Sequence, residues 1–166
     1  MAQPAKQRPR TGSTAAEQPA PELDPGLDNL LFDVWLVSRA TTALIDDAVK
    51  ASGLDADEFA VYSVLASTQG MTPTELAHWM AAPPTTVSSY VKRFERRGHV
   101  TREPHPDDGR SYRVQLTAAG RAAHLAAGEL FLPVLREVTQ RVGRETTQTH
   151  RRLRALHAII STAAHT

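Results

Sequence analysis

The 166-residue sequence contains no cysteine. That excludes a disulfide framework, a thiolate metal site and a cysteine redox switch. It also lacks any apolar run long enough for a signal peptide or a membrane span, so the protein is expected in the cytoplasm without a membrane partner. Catalytic signatures are missing as well: there is no phosphate-cradling glycine loop, no Gly-x-Ser-x-Gly elbow and no His-Glu-x-x-His helix. No catalytic residue and no cofactor is assigned, and the chain reads as a non-enzyme. Seven histidines invite a metal, but their spacing does not support one. His150 and His157 share a helical face two turns apart, about 10 Å of rise, too far for two ligands of one ion. His78, His99, His105, His124 and His165 form no ligand spacing either, so no metal site is assigned.

What is present is an ordinary soluble composition with an uneven charge distribution. The formal net charge is +1, yet residues 22–80 carry two bases and ten acids while residues 81–121 carry eight bases and four acids. One surface is therefore suited to a polyanion and another is not. Residues 1–26, rich in Pro, Ala, Gln and Ser/Thr and carrying Lys6, Arg8 and Arg10, read as a disordered tail. The remainder, 27–166, has the length of a single domain.

The stretch from Met71 to Gly120 organises that domain. Thr72 is a good N-cap, Pro73 suits the first helical position, and Glu75 can close a capping box. Leu76, Ala77 and Met80 share a face of this helix, and Ala81-Ala82-Pro83 interrupts the pattern before Pro84 opens another. In the second helix Val87, Val91 and Phe94 form the apolar stripe, while Thr85, Ser88, Ser89, Lys92 and Arg96 face outward. Two alternating runs follow, Val100 to Arg102 and Tyr112 to Leu116, with Pro104 to Gly109 as the loop between them. The expected fold is mainly α with a small β-hairpin wing: a winged helix-turn-helix in residues 54–117, flanked by N- and C-terminal helices.

Outward hydroxyls and cations on the second helix can contact phosphates and base edges in a major groove. Thr85, Thr86, Ser88, Ser89, Lys92 and Arg93 are the candidate DNA-binding residues of this helix; Asp108, Arg110 and Arg113 are those of the hairpin. Asp108 beside Arg110 could hold the guanidinium extended toward a narrow minor groove. The bland alternatives are a solvated helix face and a surface ion pair.

Glu75-Leu76-Ala77, the run from Thr86-Val87 to Arg97-Gly98, Asp108-Gly109-Arg110 and Leu116-Thr117-Ala118-Ala119-Gly120 occur in an order and spacing that resemble the MarR family of bacterial transcription regulators. Pro83 departs from the pattern, since family members often carry a capping Ser there. The resemblance implies a homodimer on a pseudo-palindromic, double-stranded operator, with repression the commoner outcome. Oxidant sensing through cysteine, used by one branch of the family, is closed to this chain.

Residues 27–53 repeat apolar positions at three and four, with Leu30, Leu31, Val34, Leu44 and Ile45 among them, and Gly53 stops the helix. Asp55 caps a following helix through about Thr68. Residues 118–166 supply two more helices, capped by Thr117 and crossed by Pro133, with Leu125, Leu132, Leu135, Val138 and Val142 on one apolar face and Leu153, Leu156 and Ile160 on another. A small winged lobe cannot cover such helices at both ends, so residues 27–53 and 118–166 are expected to pair with a second copy.

Members of the family commonly release DNA when a small molecule, often aromatic and anionic, binds between the dimerisation helices and the DNA-binding lobe. Trp35 and Arg39 on the first helix, with Phe59 and Tyr62 on the second, would offer an aromatic wall and a guanidinium to such an effector. The simpler assignment places the three rings in the core and leaves Arg39 solvated or at an interface. Two alternatives compete with the ligand-responsive regulator: a winged regulator without an inducer, and a protein-interaction module that kept the fold but lost DNA.

Overall fold

The computed structural model describes residues 27–105 and 108–163, with side chains over 105–110 outside that description. The tail expected at 1–26 and His165 also lie outside it. The chain divides after Leu36 into two compact units. The described part of the first contains the start of helix α1 (Leu30–Val49), where Asn29 accepts from the Phe32 backbone N–H at 3.0 Å and Phe32 stacks on Trp35.

The second unit contains the rest of α1, then α2 (Ala56–Ser67), α3 (Pro73–Trp79), α4 (Pro84–Arg96), strands β1 (Val100–His105) and β2 (Asp108–Leu116), α5 (Ala118–Val142) and α6 (Thr146–Ala163). The expected helices all form. A short 3-10 turn, Lys50–Ser52, carries the chain out of α1 to Gly53, whose left-handed φ of 78° stops it. Capping boxes open two helices: Asp55 with Glu58 on α2, and Thr72 with Glu75 on α3.

The core sits between α2, α4, the wing and the early part of α5. Val87, Val91 and Phe94 point from α4 onto Val61, Tyr62 and Leu65 of α2 and Leu76 of α3, all buried, with Val100, Val114 and Leu116 of the hairpin closing the cluster. Antiparallel pairing sets Val100 opposite Leu116 and Arg102 opposite Val114. The ladder runs further than residue alternation predicts. Within the expected loop from Pro104 to Gly109, Pro104 pairs with Tyr112 and His105 with Asp108 across a register shift. An irregularity of this kind accommodates a residue that has no N–H to donate. Met71 adds a bridge that alternation could not reveal: its N–H donates to the Val114 carbonyl at 3.1 Å and its carbonyl accepts from Val114 at 2.7 Å.

Helix α5 turns small residues toward the lobe, with Ala127 fully buried, while Leu125, Leu132, Leu135 and Val138 remain exposed. Pro133 is carried inside the helix without ending it, at the cost of one backbone donor. No described helix is long and apolar enough to cross a membrane.

The turn between α3 and α4 contains the one described non-glycine residue with positive φ, Ala81 at 47°. A Cβ in the left-handed region costs about 1–2 kcal/mol. Ala81→Gly should therefore stabilise the protein by roughly 0.5–1 kcal/mol despite the greater freedom of glycine in the unfolded chain. Thermal or urea unfolding measures it, and a lowered midpoint would mean that Ala81 is not strained.

Candidate nucleic-acid interface

Helix α4 starts without a side-chain cap: Pro83 occupies the N-cap position with φ −57° and ψ 146°, and Pro84 is the first helical residue. The family's usual capping hydroxyl is thus replaced by two rings that pre-set the backbone, and the Pro83 carbonyl accepts from Thr86 and Val87 at 2.9 and 3.2 Å. Entry into α4 is regular despite the substitution.

With the apolar stripe buried, Thr85, Thr86, Ser88, Ser89, Lys92 and Arg96 lie exposed together. Ser89 donates to the Thr85 carbonyl at 3.0 Å and keeps lone pairs for a further donor. Lys92 and Arg96 have no carboxylate within ion-pair distance among the described residues. Arg113 on β2 is half-buried, opposite Glu103, with Nε lacking a hydrogen-bond partner. The Asp108 and Arg110 side chains fall outside the described residues.

Arg93 departs from the expectation. It is turned to α2, where Nε stands 2.8 Å from Glu58 Oε1 without the alignment of a hydrogen bond, and Nη2 stands 3.7 Å from Asp55. Its guanidinium covers the Tyr90 ring at 4.7 Å. Arg97 joins it on the same carboxylate, donating to Glu58 Oε2 at 2.9 Å. The sequence pattern marks Glu58 only as a helical acid near an N-terminus. A second link is equally silent in the sequence: Arg102 of β1 grips Glu95 of α4 in bidentate fashion, 2.6 and 2.7 Å, and lies over Tyr112 at 4.6 Å. Fork-on-carboxylate geometry of this kind fixes orientation as well as distance. It ties the wing to the helix.

Trp35 and Arg39 are exposed on α1. Phe59 packs on His124 and Phe131 with 8% of its surface exposed, and Tyr62 is fully buried, edge-on to Phe94 at 4.8 Å. Both rings are core, because α2 is sandwiched by α4 and α5 and has little face left for a ligand.

The Tyr62 hydroxyl lies 2.9 Å from His99 Nδ1, and burial pushes its pKa up to about 12; burial and then Asp57 do the same to Tyr90. An unfolded tyrosine loses its proton near 10. Stability held by keeping Tyr62 protonated is therefore complete below about pH 10 and is lost as pH rises toward 12. Tyr62→Phe should cost about 1 kcal/mol at neutral pH and flatten the decline between about pH 10 and 12. Urea melts across that range would show equal declines in both proteins if Tyr62 ionised freely in the folded state.

The architecture has known counterparts. The model of the MarR family matches residues 52–111, which span α2, the helix-turn-helix, β1 and the start of β2. An HTH-type transcriptional repressor of Mycobacterium tuberculosis is 31% identical over 99 residues, 60% of this chain and 69% of the relative. Among solved structures, the M. tuberculosis transcriptional regulator MOSR in complex with DNA superposes with a TM-score of 0.66 at 29% identity, over 83% of this chain and 97% of that one. CouR from Rhodococcus jostii RHA1, bound to p-coumaroyl-CoA, has a TM-score of 0.70 at 21% identity, over 80% and 92%, a likeness of fold. The winged lobe assembled by α2, α3, α4 and the hairpin, together with these similarities, makes this chain a member of the MarR family.

Proposed function

We propose that the protein is a transcriptional repressor that reads a pseudo-palindromic operator as a homodimer, with α4 in the major groove and the wing tip against the adjacent minor groove. The observation that carries this is the open face of α4, where Thr85, Thr86, Ser88, Ser89, Lys92 and Arg96 stand exposed while the opposite stripe is buried. Hydroxyls with spare lone pairs, beside cations that no carboxylate among the described residues holds, are what base edges and phosphates require. Arg110 and Asp108 at the hairpin tip, with Arg113 behind them, complete the proposed contact surface.

The second copy is supported by apolar surface that one protomer leaves uncovered. Leu125, Leu132, Leu135, Val138 and Val142 on α5 and Leu153 and Ile159 on α6 are each at least 38% exposed, and clustered apolar side chains of this kind mark a surface for association. Closed two-fold pairing of these helices would set two copies of α4 about one DNA turn apart.

An effector remains part of the proposal, though not against Phe59 and Tyr62. An open space of about 920 Å³ between α3 and α6, bounded by His78, Trp79, Pro83, His157 and Ser161, has the size of a ligand site. Imidazoles beside an indole suit a small aromatic anion.

Titrating the purified protein onto DNA upstream of its own gene, with excess nonspecific competitor and at several salt concentrations, tests the central claim. Saturable, competitor-resistant binding with a two-fold symmetric footprint is expected. Binding that vanishes with competitor on that DNA and across genome-wide capture would remove DNA reading in favour of a protein partner.

A further inference from the structure

Helix α4 carries two pairs of cations, Lys92 with Arg96 and Arg93 with Arg97, each pair spaced one turn apart and the two offset by a single residue. One residue is about 100° of rotation, so the pairs address different surroundings. Lys92 and Arg96 are exposed with no carboxylate partner among the described residues, whereas Arg93 and Arg97, whose side chains keep 37% and 36% exposure, are both engaged. The second pair closes on one carboxylate, that of Glu58, which is only 1% exposed. Arg93 Nε lies 2.8 Å from its Oε1, Arg97 Nη1 lies 2.9 Å from its Oε2, and the Asp55 backbone N–H donates to Oε2 at 3.2 Å.

A buried carboxylate is tolerated only when paired and hydrogen-bonded, and here the pairing spans two helices. Because Glu58 sits in the first turn of α2, locked by its own capping box, the two arginines are drawn to a fixed point behind α4. Their grip opposes rotation of α4 about its axis and draws two guanidinium groups toward α2. The Arg102–Glu95 fork does the corresponding work on the wing side.

We propose that Glu58 is a positioning residue for operator recognition: by holding Arg93 and Arg97 toward α2, it sets the roll of α4 and leaves Lys92 and Arg96 as the cations of that helix that meet DNA. The inference rests on the DNA-reading function proposed above. It predicts which cations count in the salt dependence of binding. Each neutralised phosphate contributes about 0.9 to the slope of log K against log salt on B-form DNA.

Operator binding would be measured against salt for the full chain and for Lys92→Gln, Arg96→Gln, Arg93→Gln, Arg97→Gln and Glu58→Gln, with circular dichroism confirming that each is folded. Because each substitution occurs twice in the dimer, Lys92→Gln and Arg96→Gln should each lower the slope by about two. Arg93→Gln and Arg97→Gln should leave it unchanged, since the remaining arginine still pairs Glu58. Glu58→Gln should free both arginines of each protomer, raising the slope by about two to four and narrowing the ratio of operator to nonspecific affinity. A slope lowered by Arg93→Gln or Arg97→Gln as much as by Lys92→Gln would overturn the proposal. So would a Glu58→Gln protein that is folded and loses affinity uniformly at unchanged slope, the signature of a packing residue alone. If Glu58→Gln fails to fold, the four single cation variants decide. Absence of competitor-resistant binding by the unaltered protein would instead dispose of the DNA reading itself.

Discussion

Replacing Gly120 with alanine should destabilise the protein by about 3 kcal/mol or more, although alanine is the better helix former. Gly120 is in the first turn of α5, where its N–H donates to the Thr117 hydroxyl at 3.1 Å. The same hydroxyl donates to the Gly98 carbonyl at 2.7 Å, and the Thr117 N–H donates to the His99 carbonyl at 3.0 Å. These bonds draw the start of α5 against the end of α4 so closely that a Cβ on residue 120 would collide with the His99 carbonyl oxygen, with the carbonyl carbon only 2.9 Å away. The Leu116 side chain, with Cδ2 3.0 Å away, could give way, but the His99 carbonyl is backbone held by the Thr117 N–H and cannot. Helix propensity favours alanine by about 1 kcal/mol, and overpacking against a hydrogen-bonded backbone costs more.

The expected fall in melting temperature is on the order of 10 °C for a domain of this size. Gly128, on the same helix, has nothing within 4 Å of where a Cβ would stand, and should respond the other way to alanine, by up to about 1 kcal/mol. Scanning calorimetry on the pair separates the two causes. A raised midpoint for Gly120→Ala would show that α5 does not approach His99 as described.

Gly120 also marks what the sequence made legible. Its place in Leu116-Thr117-Ala118-Ala119-Gly120 is part of a motif match, but the reason for a glycine there lies in His99, twenty-one residues away. Local signals carried most of the fold: the Thr72 and Glu75 box, the Asp55 cap, the Val87, Val91 and Phe94 stripe and the alternation of Tyr112, Val114 and Leu116 each depend on residues within a turn or a strand. What escaped was set by contacts between distant segments. Met71 pairs with Val114, and Glu58 selects between two cation pairs that periodicity leaves equivalent apart from a 100° phase. The departure at Arg93 follows directly, since an amphipathic pattern separates apolar from polar faces but does not divide the polar face between solvent and a buried acid. Phe59 and Tyr62 illustrate the converse, because aromatic residues at helical spacing suit a ligand wall or a core equally until the neighbours are known.

The same division of the polar face makes the operator-binding predictions specific. Lys92→Ala and Arg110→Ala should each weaken operator binding by about 1–3 kcal/mol, roughly tenfold to a hundredfold, but with different signatures. Lys92 stands exposed one turn from both Ser88 and Arg96 on α4, so its ammonium lies in a stripe that can reach base edges as well as phosphates. Its loss should alter the preferred operator sequence as well as the affinity. Arg110 belongs to β2 close to the hairpin tip, where a cation would meet the minor groove and the sugar-phosphate backbone beside the half-site. Its loss should weaken binding nearly uniformly across sequences and, occurring in both protomers, reduce the salt slope by about two. If the two residues act in different grooves, their effects should multiply in the double variant. Selection of bound sequences from a random library, followed by titration at several salt concentrations, reads all three quantities. Unchanged affinity in both single variants would remove α4 and the wing tip from the contact surface. A loss confined to Lys92→Ala would keep the helix in the groove and leave the hairpin as a brace, holding α4 through the fork from Arg102 to Glu95 without touching DNA.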